Sequence, residues 1–139
     1  MKLMKRLIRK TSLNYLKQSR TVMIDIDDTI LLWNPEEYPH VESDLITIEE
    51  DGHQFKFLAH KKHIEFIRKL KLQGYGIVFW SAGGNEWAQR IVNKLGIQEL
   101  ADVIMSKPEF ALDDLLDATK IIKSVVWIDP TTGKYKRNE

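Results

Sequence analysis

The sequence predicts an α/β fold, a Rossmann-like parallel sheet flanked by helices. Three observations carry that prediction. Short β-branched and apolar runs recur along the chain, segments of helical periodicity separate most of them, and each run ends on a polar residue. Strands that are apolar on both faces and alternate with helices belong in a parallel sheet covered on two sides and joined by right-handed crossovers. In such sheets ligands bind beyond the carboxyl ends of the strands, so the polar strand ends are where chemistry is to be sought.

Residues 1–20 form a basic N-terminal arm or helix. Lys2, Lys5, Arg6, Arg9, Lys10, Lys17 and Arg20 occur there without a single acid, interleaved with Leu3, Leu7, Leu13 and Leu16. A solvated helix packing its leucines on the domain is the plainest reading; a membrane-surface helix, a transit-like leader and a nucleic-acid contact also fit. Residues 21–26 are short, β-branched and apolar at alternate positions, which predicts the first strand. Residues 31–44 contain Trp33, Asn34, Pro35 and Pro39 and predict an irregular loop with one helical turn. Residues 45–48 and 55–58 flank Asp51-Gly52, a two-residue turn signal, and predict a β-hairpin.

From 61 to 73, Ile64, Phe66, Ile67 and Leu70 fall at helical spacing, Lys69 and Lys71 come late, and Gly74 supplies a stop. A continuous apolar strand is predicted at 77–80, a helix at 86–95 ended by Gly96, a strand at 102–105, a helix at 110–123 and a strand at 125–128. Residues 21–139 therefore read as one domain, without repeat, low-complexity tract or linker. A chain of 139 residues that is 43% hydrophobic can bury a core around such a sheet.

The composition excludes some chemistry. With no cysteine there is no disulfide, thiolate metal site or cysteine nucleophile. No apolar run approaches the roughly 20 residues of a membrane-spanning helix, and no signal-like stretch opens the chain, so a cytoplasmic location is the expectation.

The strand ends supply Asp25 and Asp27, then Ser81, then Ser106-Lys107, then Asp129. Residues two apart in an extended segment point the same way, so Asp25 and Asp27 can face one site while Asp28 faces away. Two carboxylates held together call for a cation. A hard oxygen set suits Mg²⁺, which takes one or two protein carboxylates and leaves its other positions to water and phosphate. Asp129 is the natural third acid. A carboxylate nucleophile can then form an aspartyl phosphate at Asp25, and Asp27 is placed to protonate the leaving oxygen and later activate water. Lys107 brings positive charge to the phosphoryl group, and Ser81 with Ala82, Gly83 and Gly84 offers donors before a helix N-terminus.

On these residues the chain resembles the haloacid dehalogenase superfamily, in its small capless type. The matching motifs are Val22-Met23-Ile24-Asp25-Ile26-Asp27-Asp28-Thr29-Ile30, the strand ending in Ser81, Lys107 within Ser106-Lys107-Pro108, and Val125-Val126-Trp127-Ile128-Asp129. The resemblance implies Asp25 as nucleophile and Mg²⁺ ligand, Asp27 as acid/base and carbonyl ligand, and Asp129 as a further ligand. The second Asp of the first motif implies phosphoryl chemistry rather than carbon–halogen cleavage. The fourth motif departs from the pattern in one respect: Pro130, Thr131, Thr132 and Gly133 follow Asp129 where a second acid is common. Asp113, Asp114 or Asp117 could compensate, or Asp129 could suffice. No gap between motifs is long enough for a full cap domain, so the hairpin at 45–58 is read as a flap beside an open site.

Other residues have two readings each. Thr29 either contacts the nucleophile and substrate or caps the turn after the strand. Trp33 either stacks on a substrate ring or packs against the hairpin, and Trp87 reads as core. Ser81, outside its motif, would be a helix N-cap. His60 and His63, three apart, suggest zinc, but no third ligand accompanies them. The expected function is a Mg²⁺-dependent phosphomonoester hydrolase acting on a nucleotide or other phosphorylated metabolite. The alternatives are a nucleic-acid end phosphatase using residues 1–20 and a non-catalytic interaction module.

Overall fold

The computed structural model of the chain describes residues 20–114, 122 and 124–138. At its centre lies a three-stranded parallel sheet of β1 (Thr21–Asp25), β5 (Gly76–Ser81) and β6 (Val103–Ser106), with β5 in the middle. Asp25 pairs with Trp80 and Ser81 with Ser106, so the ends of the three strands lie side by side. Two α-helices are present among the described residues, α1 (Lys61–Leu72) and α2 (Asn85–Lys94). Ile67 and Leu70 of α1, and Ala88, Ile91 and Val92 of α2, pack with Ile24, Ile77 and Phe79 of the sheet. Fully burying one such side chain is worth about 1.5–3 kcal/mol, so the apolar stripe of each helix is what fixes it to the sheet. Gly74 and Gly96 follow the two helices at φ 87° and 68°, conformations that suit glycine at a helix stop.

A second sheet is antiparallel, in the order β2 (Leu31–Leu32), β4 (His53–Ala59) and β3 (Leu45–Glu50). β3 and β4 are the expected hairpin. Asp51 and Gly52 lie at φ 50° and 76°, the double positive φ of a type I′ turn. Between β2 and β3 are two one-turn 3-10 helices, Pro35–Glu37 and Glu42–Asp44, where a loop with one turn was expected. β2 itself is the unforeseen part: two leucines, both buried, pair with Ala59 and Leu58 and join the hairpin to the first motif.

The last predicted strand forms but not where expected. β7 (Val125–Ile128) pairs antiparallel with β8 (Tyr135–Asn138) and, among the described residues, is not hydrogen-bonded to the parallel sheet. The physical reason lies at Ile128, whose N–H and C=O, the groups a neighbouring strand would use, are taken by the side chains of His63 and His60 at 2.9 and 2.7 Å. The helix expected at 110–123 also differs at its start, since residues 110–114 are not helical. Its remainder lies largely outside the described residues, as do Asp117 and residues 1–19 of the basic arm.

Candidate functional site

The three parallel strands end on one edge, and the first, second and third motif residues meet there. Asp25 closes β1. Its Oδ2 accepts a hydrogen bond from Thr29 Oγ1 at 2.9 Å, and its Oδ1 lies 3.0 Å from Lys107 Nζ. Thr29 reaches back four residues because the chain turns sharply after β1: the amides of Thr29, Ile30 and Leu31 all converge on the carbonyl of Ile26. Asp28 takes φ 58° in this turn, a conformation Asp tolerates better than most residues. Lys107 follows β6, and its backbone N–H donates to the carbonyl of Ser81 at 2.9 Å, which ties the third motif to the second.

Asp27, two residues beyond Asp25, is held by two tryptophans. Trp33 Nε1 and Trp87 Nε1 both donate to Oδ1, at 3.0 and 2.9 Å. Trp33 belongs to the segment after β2 and Trp87 to α2, so two elements distant in sequence meet on one oxygen. Trp33 also packs edge-on against Phe57 of the hairpin at 4.9 Å, which bears out the packing reading for its ring. Asp28 accepts the Trp33 backbone N–H through Oδ1 at 3.1 Å, so the acid that faces away from the site anchors the ring that faces it.

Ser81 is fully buried, and its Oγ accepts the N–H of Gly83 at 3.0 Å, shaping the exposed turn of Ala82 and Gly83. The hydroxyl at the start of α2 is a different one, Ser106 Oγ, which accepts from Asn85 N–H at 2.9 Å. Gly83 is packed closely: a Cβ there would lie 3.2 Å from Trp87 Cδ1 and 3.3 Å from Ser81 Oγ. Trp33, Ile48, Phe55, Phe57, Trp87 and Arg90 line an open groove of about 620 Å³ together with Asp27 and Gly83.

Asp129 sits in the turn between β7 and β8. Its Oδ1 accepts the N–H groups of Thr131 and Thr132, both at 2.8 Å, and those bonds to the charged form hold its carboxyl below the usual range. The Thr131-Thr132 pair that stands where a second acid is common therefore serves Asp129 with backbone donors. Among the described residues no group of three or more His, Asp or Glu side chains is close enough to enclose a metal ion. The first and fourth motifs each supply a hard oxygen donor, the carboxylates of Asp25 and Asp129. This set of hard oxygens fits Mg²⁺, whose usual demand is one or two carboxylates with the rest water and phosphate.

The zinc reading of His60 and His63 is set aside by geometry. The rings stack at 3.6 Å, and all four ring nitrogens are engaged. His63 Nε2 accepts from Ile128 N–H, which makes Nδ1 the protonated nitrogen, donating to Thr29 C=O at 2.6 Å. His60 Nδ1 accepts from His63 N–H at 3.1 Å, so its Nε2 donates to Ile128 C=O. Both rings are thus neutral. Burial pushes His63 down to about 4, and burial lowers His60 as well.

Of the residues that sequence reasoning singled out, Asp25, Thr29 and Lys107 are in direct contact; the stacking of the histidine pair and the two indole donors to Asp27 were not foreseen. The first had a signal, since polar His60 and His63 open an amphipathic helix on its apolar face. The second had none beyond the presence of Trp33 six positions after Asp27.

Among the described residues, no helix is long and apolar enough to cross a membrane. A family model described as NLI interacting factor-like phosphatase matches residues 20–139. No curated protein matches the chain.

Proposed function

The chain belongs to the NLI interacting factor-like phosphatase family, a phosphatase family of the haloacid dehalogenase superfamily, and from that membership we propose that it hydrolyses phosphomonoesters with Mg²⁺ through an aspartyl phosphate on Asp25. The observation that carries the proposal is the setting of Asp25 at the carboxyl edge of the sheet, with Lys107 Nζ on one oxygen and Thr29 Oγ1 on the other. Lys107 steers the carboxylate and offsets charge on an incoming phosphoryl group. Thr29 fixes the second oxygen and so selects which lone pair is free to attack.

Asp27 serves as acid for the leaving oxygen and as base for the water that follows. The exposed Ala82–Gly83 backbone lines the phosphoryl position, and buried Ser81 keeps that turn in shape. Asp25, Asp129 and the Asp27 carbonyl would hold Mg²⁺, which would supply positive charge to offset repulsion between the carboxylate nucleophile and an anionic substrate. The hairpin at 45–58 acts as a flap on one side of the site, and residues 21–139 act as a single catalytic domain without a full cap.

The substrate class proposed is a small phosphomonoester with a flat or apolar group beside the phosphate, a nucleotide first. Support comes from the groove, where Trp33 and Phe55 present half-exposed aromatic surface next to Asp27. Membership in a phosphatase family argues against the non-catalytic module. The nucleic-acid end reading rests on the basic arm alone.

The test is turnover of nucleoside monophosphates and a generic aryl phosphate with and without Mg²⁺, beside Asp25→Asn. The variant is expected to lose about 10³-fold or more of kcat, and hydroxylamine is expected to release phosphate from wild-type protein quenched during turnover. An Asp25→Asn protein that is folded and keeps wild-type turnover would refute the assignment of the nucleophile.

A further inference from the structure

We propose that Trp33 and Trp87 are positioning residues for Asp27: their two indole N–H groups occupy Oδ1, so that Oδ2 is the oxygen that carries and returns the catalytic proton. The inference rests on the phosphatase reading above and goes beyond it by naming which oxygen works and what holds it.

An indole nitrogen donates and cannot accept. Two such donors on one carboxyl oxygen, at 3.0 and 2.9 Å, require Oδ1 to present lone pairs to both. A proton on this carboxyl must then reside on Oδ2, which accepts no hydrogen bond from a described residue. The carboxyl group is also prevented from rotating, because exchanging its oxygens would break both bonds at once. A general acid delivers its proton only when the bearing atom already lies along the path to the leaving oxygen, so a fixed rotamer is part of the catalytic power.

The surrounding packing is arranged around the two rings. Asp28 Oδ1 holds the Trp33 backbone N–H, Phe57 meets the Trp33 ring edge-on, and the ring centroids of Trp33 and Trp87 are 6.5 Å apart. Beside the nitrogen edge of Trp87, position 83 is glycine, where a Cβ would press on Trp87 Cδ1 at 3.2 Å. A ring serving only as core filling needs no such clearance beside a polar turn.

The proton route is then explicit. In the first half, an Asp25 oxygen bonds to phosphorus while the bond from phosphorus to the leaving oxygen breaks, leaving its electron pair on that oxygen, which takes the proton from Asp27 Oδ2. In the second half, a water oxygen bonds to phosphorus, the Asp25 oxygen departs with its electron pair, and the proton lost by the water returns to Oδ2.

Leaving groups that need no proton expose the role. In Trp33→Phe and Trp87→Phe the ring stays and the N–H is lost. For each variant kcat/KM, which reports formation of the aspartyl phosphate, is compared on an alkyl phosphate and on 4-nitrophenyl phosphate. The alkyl ester should lose about 10-fold or more, within the range general acids supply, and the nitrophenyl ester only about 2-fold, because its leaving group is stable without a proton. Asp27→Asn should show the same bias more strongly, and adding Trp33→Phe to it should cost nothing further.

Equal losses on both esters, or none on either, would overturn the proposal, since a packing defect is blind to the leaving group. Circular dichroism establishes that each variant is folded. Should Trp87→Phe fail to fold, Trp33→Phe decides, Trp33 being a 44% exposed residue. If Asp27→Asn shows no leaving-group bias, the acid/base reading itself falls and takes this inference with it. Loss of the bias in the tryptophan variants alone sinks only the inference.

Discussion

Two histidines are the residues on which the last motif depends. His60 and His63 are buried, neutral and stacked, and between them they hold Thr29 from the first motif and Ile128 from the fourth. Protonating either ring converts an acceptor nitrogen into a donor and breaks a bond: Ile128 N–H to His63, or His63 N–H to His60. Stability should follow. An exposed histidine in the unfolded chain titrates near 6.5, while His63 in the folded protein titrates at about 4, chiefly because burial disfavours its charged form and His60 adds to that effect. The unfolded state therefore binds more protons in between. The contribution of His63 is fully present above about pH 6.5 and is lost as pH falls from there toward 4, about 2 kcal/mol of it by pH 5. Urea midpoints measured between pH 7 and 5 should fall for wild type and fall less for His63→Gln. The same slope in both proteins would show that His63 does not titrate in this window. Asp129 works through different chemistry, as the amides of Thr131 and Thr132 donate to its Oδ1 and favour its charged form.

At the scale of elements, the hairpin is joined to the domain at both ends. At its base, β4 pairs with β2 just after the first motif. Near its tip, Arg90 of α2 donates to the Glu50 carboxylate and to the Glu49 carbonyl, and its guanidinium lies 5.9 Å over the Trp87 ring. These groups are exposed, and an exposed ion pair contributes less than about 1 kcal/mol. Arg90→Ala should therefore barely lower the melting temperature, yet it should speed amide exchange at residues 45–50 while exchange in β1 and β5 stays unchanged. Identical exchange across the hairpin would mean that the turn and the β2 contact alone hold it. The β7–β8 pair shows the complementary case, an element attached to the body by side chains. Trp127 stands edge-on to both histidine rings at 5.1 and 4.7 Å, beside the bonds to Ile128.

For the whole molecule, the family match begins at residue 20, the last residue of the basic arm. If residues 21–139 act as one catalytic domain, deletion of residues 1–19 should leave kcat on a small phosphomonoester within about 2-fold of the full chain. Neutralising Lys5, Arg6, Arg9 and Lys10 separates the two substrate readings: an end phosphatase would lose affinity for oligonucleotides and shed most of its salt dependence, whereas activity on mononucleotides would not change. What the sequence determined by itself was local and short-ranged. Periodicity marked β1, β5, β6 and both described helices, Asp51-Gly52 marked the hairpin turn, and strand ends placed Asp25, Ser81 and Lys107 on one edge, because the alternation of strand and helix leaves a parallel sheet few ways to assemble. Tertiary structure decided which polar atoms meet. That Trp33 and Trp87 share one oxygen of Asp27, and that β7 is tied to the domain by His60 and His63 with no hydrogen bond from a described strand of the parallel sheet, are decided by contacts between distant residues. No periodicity encodes them, because side-chain hydrogen bonds depend on distances and directions that exist only once the chain has packed.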